Sequence, residues 1–186
     1  MDLSILEKKL QSCTRCDLHR KRNNMVFGKG SLTASIMFIG EGPGEQEDLQ
    51  GMPFVGKAGQ LLDRIIEAAQ LPPEHIYICN VVKCRPPGNR LPNKIEIEAC
   101  KPFLREQVRY IKPRIIVCLG ALSAQTVVHP GIRITRDRGI WVQKGNYRIM
   151  PTFHPAALLR DHLKKRPVWE DMKKVRDEFL KITGTC

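Results

Sequence analysis

In this chain of 186 residues, the side chains whose types and spacing could do chemistry are four cysteines, a run of carboxylates, one asparagine and one histidine. Cys13 and Cys16 form a C-x-x-C ahead of the basic run His19-Arg20-Lys21-Arg22, and Cys84 and Cys100 follow with fifteen residues between them. Such a four-thiolate set suits tetrahedral zinc or an iron–sulfur cluster. Zinc ribbons pair two C-x-x-C knuckles, and the wide spacing of Cys84 and Cys100 favours iron–sulfur. A thioredoxin-type dithiol would open a helix after a strand, unlike the position here. Cys79 and Cys118 sit in apolar runs as small hydrophobes, and Cys186 reads as a frayed terminus. The odd total of seven cysteines argues against a full disulfide framework.

The carboxylates alternate with glycine in Gly40-Glu41-Gly42-Pro43-Gly44-Glu45-Gln46-Glu47-Asp48. Glu45 stands where a dinucleotide loop has its third glycine, and no G-K-[ST] follows, so neither that loop nor a Walker A loop is spelled. Four acids within eight residues would also repel a pyrophosphate. In a basic protein they suggest a catalytic use for at least one, with a structural tight turn as the plainer alternative. Asn80 reads first as a turn or cap, His154 as a satisfied imidazole and Phe54 as core filler.

A place at a strand end adds weight to His154, and none of these residues decides the function alone. Apolar runs at 35–39, 76–82, 115–119 and 148–152 read as buried strands, separated by helical patterns at 59–70, 95–111 and 121–128, with a last helix at 169–182. Leu71-Pro72-Pro73 and Lys112-Pro113 stop two of the helices. The alternation predicts one domain over residues 1–186, a three-layer α/β/α sandwich around a central, mostly parallel four-stranded sheet. In such sheets sites gather at the C-terminal strand ends, where Glu41, Asn80 and His154 stand.

Composition bounds the rest. Hydrophobic residues make up 42% and charged residues 27%, as in globular proteins. Mean hydropathy is −0.29 and no apolar run approaches the ~18 residues of a membrane span. The N-terminus MDLSILEKKLQ carries acids and no long apolar core, so no secretory signal is expected. These features predict a soluble intracellular protein with no membrane partner; a cytoplasmic, prokaryote-like setting and a monomeric state are separate expectations. The formal net charge is +12, and residues 101–186 hold 18 of 31 basic side chains against 7 of 19 acidic ones. That excess is the footprint of a polyanion binder, or merely a solubilising surface.

Together these motifs resemble family 4 uracil-DNA glycosylases, the iron–sulfur branch of the uracil glycosylase superfamily. The resemblance runs from Gly40-Glu41-Gly42-Pro43-Gly44-Glu45 through Gly51-Met52-Pro53-Phe54-Val55-Gly56-Lys57-Ala58-Gly59 and Asn80-Val81-Val82-Lys83-Cys84-Arg85-Pro86-Pro87 to Phe153-His154-Pro155-Ala156. It implies hydrolysis of the N-glycosidic bond of a uracil flipped out of single- or double-stranded DNA, leaving an abasic site. By resemblance, Phe54 would stack on the base, Gly42 would lie against it, and Asn80 would donate to uracil O4 and accept from N3–H. Cytosine reverses both polarities, so Asn80 would reject it. His154 would bind O2 and steady the leaving anion. Glu41 would orient the water and stabilise the developing sugar cation, a task needing no raised pKa, and Glu47 would exclude the thymine methyl at C5.

The resemblance further implies that Leu158, Leu159 and Arg160 wedge the vacated stack and hold a phosphate, though two leucines in a short helix are also ordinary core. It implies a [4Fe-4S] cluster on Cys13, Cys16, Cys84 and Cys100, a scaffold rather than a catalyst, holding Arg85, Arg90 and Lys94 at a DNA-facing surface. Some relatives are trapped covalently through a histidine in an inserted loop. The segment after Lys83 has no such histidine, which predicts turnover. A non-enzymatic iron–sulfur DNA-binding module is the remaining alternative, and it would need no Glu41, Asn80 and His154 together.

Overall fold

A computed structural model of the protein describes residues 3–184; Cys186 lies outside them. Its sheet has six strands, β1 (Lys29–Gly30), β2 (Ile36–Gly40), β3 (Ile76–Asn80), β4 (Ile115–Leu119), β5 (Val142–Lys144) and β6 (Tyr147–Thr152), in the order β1-β3-β2-β4-β6-β5. The inner four run parallel and match the four apolar runs. The expected count of four is corrected to six. The extra strands are antiparallel edges of two and three residues, too short and too exposed to show as apolar runs.

The described helices are α1 (Leu3–Gln11), α2 (Glu45–Gln50), α3 (Lys57–Ala68), α4 (Lys94–Ile111), α5 (Ala121–Val127), α6 (Ile134–Asp137), α7 (Pro155–Arg160) and α8 (Lys165–Thr183). Strand periodicity divides the core between two faces. Met37 and Ile39 of β2 pack with Leu10 of α1, Leu104 of α4 and Ala124 of α5. Ile36 and Phe38 of the same strand pack with Leu62 of α3, Leu158 of α7 and Val175 of α8. Helices therefore cover both faces, giving the expected three layers.

Local chemistry fixes the helix that carries Cys100. Asn93 accepts from the Glu96 N–H at 2.9 Å while the Glu96 carboxylate accepts from the Asn93 N–H at 2.8 Å, a reciprocal cap on α4. Lys112 (φ 53°) then ends the helix in the left-handed region, ahead of Pro113.

Candidate active site

The ends of β2 and β3 meet at the pair Gly40–Asn80. Asn80 is 2% exposed, and its Oδ1 is buried with no hydrogen-bond partner among the described residues. A buried orphan acceptor costs about 1–3 kcal/mol, and because Asn80 lines a cavity an entering donor can reach this one. A Cβ on Gly40 would lie 2.4 Å from that Oδ1 and 2.6 Å from Phe54 Cζ. Glycine at the strand end is what lets the amide and the ring meet.

Phe54 adopts φ 53°, in the left-handed region that a bulky residue rarely enters. Three contacts hold it there. Lys29 Nζ donates to its carbonyl at 3.2 Å. A Cβ on Gly59 of α3 would lie 2.1 Å from the same carbonyl oxygen, so helix and turn are docked backbone to backbone. The Glu47 carboxylate accepts from Val55 N–H (2.9 Å), Gly56 N–H (2.8 Å) and Gly44 N–H (3.1 Å), tying the Phe54 loop to the start of α2. The Phe54 ring stacks on His154 with centroids 5.8 Å apart and planes at 27°.

The four acids of the glycine loop separate by what they touch. Glu47 holds the loop, and Asp48, fully buried, accepts from Asn23 N–H (3.0 Å) and Asn23 Nδ2 (2.6 Å). Exposed Glu45 lies 3.6 Å from Arg85. Glu41 faces the cavity, and its Oε1 accepts from Leu122 N–H at 3.1 Å, in the first turn of α5. Gly120 (φ 100°) makes room, since a Cβ there would lie 2.4 Å from Glu41 Oε1. Burial pushes the Glu41 pKa up, opposed by the Leu122 N–H and by Arg160.

His154 caps α7, its Nδ1 accepting from Ala156 N–H at 3.1 Å. Burial, with Arg160 adding repulsion, lowers its pKa to about 4. At neutral pH the ring is therefore uncharged, with its proton on Nε2. The strand leading to it is anchored from behind. Thr152 donates to the buried Asp171 at 2.6 Å, and Arg138 pairs with the same carboxylate.

A cavity of about 680 Å³ brings Glu41, Gly42, Glu47, Phe54, Asn80, His154 and Arg160 together. Leu158 does not join them. It is 1% exposed and packs into the core against α3 and α8, because the turn of α7 points it inward. Leu159 and Arg160 face solvent. The wedge expectation is corrected for Leu158. Sequence reasoning missed Gly120, whose positive φ makes room for Glu41 and which no motif announces. Arg90 lines the cavity mouth but is held by Glu96 at 2.6 Å rather than free.

Cys13, Cys16, Cys84 and Cys100 line one small cavity on the α1 and α4 side, together with Arg22 and Lys83. All four are free thiols, and Arg22 Nη1 donates to Cys84 Sγ at 3.2 Å. Burial pushes the thiols of Cys16 and Cys84 up, and that of Cys100 to about 11. Among the described residues, no three of His, Cys, Asp or Glu converge as ligands of one ion. Four thiols lining one cavity are a donor set whose chemistry fits an iron–sulfur cluster or a zinc ion.

A family model described as the uracil DNA glycosylase superfamily matches residues 27–173. The chain is 44% identical over 188 residues to the type-4 uracil-DNA glycosylase of Thermotoga maritima, covering 98% of this chain and 96% of that one. It is 43% identical to the type-4 uracil-DNA glycosylase of Sulfurisphaera tokodaii (94% and 84% covered). To that of Saccharolobus solfataricus it is 40% identical (95% and 86%).

Proposed function

This chain belongs to the uracil DNA glycosylase superfamily, and we propose that its strand-end cavity is where uracil is removed from DNA. The reaction is hydrolysis of the N-glycosidic bond of a flipped-out uracil, leaving an abasic site. The single observation that carries this reading is the unpartnered Oδ1 of Asn80, buried at the cavity floor. Uracil N3–H supplies the missing donor, and the amide N–H donates to O4. Cytosine offers an acceptor where Oδ1 needs a donor, so it leaves buried polar groups mispaired.

The other residues take up the developing charges. As the bond breaks, electrons flow to the base, and the neutral His154 donates Nε2–H to uracil O2, steadying the anion without protonating it. Phe54 lies against the ring and the Gly42 backbone beside it. Glu41, as the anion, holds the water and faces the positive charge on the deoxyribose. Glu47 keeps Phe54 in place and closes the side next to C5 against a thymine methyl. Leu159 and Arg160 meet the DNA at the cavity rim, the leucine toward the vacated stack and the arginine toward a phosphate.

The type-4 relatives imply an iron–sulfur cluster, and the four-cysteine cavity fits one. Cys13, Cys16, Cys84 and Cys100 would hold a [4Fe-4S] group, whose contribution is four iron–thiolate bonds fastening the N-terminal arm to α4. The protein acts as a monomer on single- or double-stranded DNA. Incubation with a uracil-containing oligonucleotide followed by alkali tests the function. Strand cleavage at uracil is expected; a stable protein–DNA adduct, or binding without cleavage, would overturn it.

A further inference from the structure

Lys83 is fully buried, among the largest side chains in the molecule with no exposure. Among the described residues its ammonium makes no ion pair with a carboxylate. An ammonium removed from water without a counter-charge is expensive, so something must supply one. Lys83 is one of the residues lining the four-cysteine cavity. Its Nζ donates to the Asn80 carbonyl at 2.7 Å and also hydrogen-bonds the buried Cys79 thiol, which brings no carboxylate charge. The Lys83 main chain is pinned as well, its carbonyl accepting from Val26 N–H at 2.8 Å and its N–H reaching the Cys100 sulfur.

We propose that Lys83 is the counter-charge of the iron–sulfur group and the positioning residue that ties it to Asn80. This rests on the cluster reading above. A [4Fe-4S] core on four thiolates carries net negative charge, which is what the buried ammonium lacks. The same ammonium fixes the carbonyl of the residue that reads the base. Lys83 touches neither substrate nor reacting atoms; it acts through the Asn80 backbone.

The test uses the holoprotein and two neutral variants, Lys83→Met, which keeps the bulk, and Lys83→Gln, which also keeps a donor for the Asn80 carbonyl. Iron and sulfide are counted first in the wild type, followed by iron release to a ferrous chelator and the cluster's midpoint potential in all three. Both variants should release iron on the order of ten- to a hundredfold faster, as when other outer-shell partners of a metal site are removed. Both should also shift the potential negative, because loss of a nearby cation disfavours adding an electron. In single-turnover excision Lys83→Gln should retain more activity than Lys83→Met, since only Gln can still donate to Asn80. If the wild type holds iron and both variants match its release rate and potential, this inference fails while the cluster reading stands. An iron-free wild type would end both.

Discussion

Glu41 and His154 face one cavity with their pKa values moved in opposite directions, up for the carboxylate and down to about 4 for the imidazole. Burial opposes charge on either group, and this gives a stability signature. For Glu41 the folded pKa is raised, so its contribution favours folding at low pH and is lost as pH rises through that value. Glu41→Gln should therefore lose on the order of a hundredfold or more in excision, while melting higher than wild type at neutral pH. Melts across pH should show the gap closing in acid; a variant less stable than wild type at neutral pH would contradict it. His154 behaves oppositely. Its folded pKa lies below 6.5, so the stability it supports is present above 6.5 and falls as pH drops toward about 4. His154→Asn, an uncharged cap, should flatten that part of the stability curve. Sequence alone made these residues legible because ionisable side chains stood beside glycine and proline at strand ends. The pair Leu158-Leu159 stayed ambiguous, since only the phase of α7 decides which leucine is buried.

At the scale of elements, the site depends on how closely backbones approach. The Cβ of a Gly59→Ala variant would sit 2.1 Å from the Phe54 carbonyl oxygen, which is main chain and cannot rotate away. Shifting α3 should cost about 1–3 kcal/mol and displace the Phe54 ring from the cavity wall. A lower melting temperature together with reduced excision is expected, and wild-type values in both would show that the contact yields. The four parallel strands could be read because burial on both faces makes them continuous apolar runs. Edge strands β1 and β5 lack that signal, pairing on one side only. Helix α1 is weakly announced in the sequence, although Leu3, Leu6 and Leu10 are spaced to bury one stripe. Its nine residues form too short a periodic run beside the more prominent C-x-x-C.

Across the whole molecule, charge is the property that meets DNA. All seven acids of residues 101–186 are paired locally, Glu106, Asp137, Asp161, Glu170, Asp171, Asp177 and Glu178 each with a different cation. Lys101 pairs with Glu98 as well, and the other ten basic side chains of that part make no ion pair among the described residues. If about four phosphates are neutralised, log K should fall with log salt at a slope of roughly −3 to −4. Arg160→Ala should lower that slope by about one, uniformly across sequences. Titration of a labelled oligonucleotide over a salt series checks both, and a flat response would leave the excess as solubilising charge. The net charge was plain from composition, whereas the pairing depends on which side chains the helices bring together.

Asn80 is where the chemistry is most exposed to disproof. Aspartate keeps its size but offers only acceptors when ionised, so it loses the O4 contact and sets negative charge beside that oxygen. The measurement is single-turnover uracil excision by wild type and Asn80→Asp, with a thermal melt to establish that the variant is folded. A folded Asn80→Asp should excise uracil on the order of a hundredfold or more slowly, a loss of several kcal/mol of transition-state stabilisation. Excision at the wild-type rate would mean that Asn80 does not read the base and that uracil does not sit against its buried oxygen.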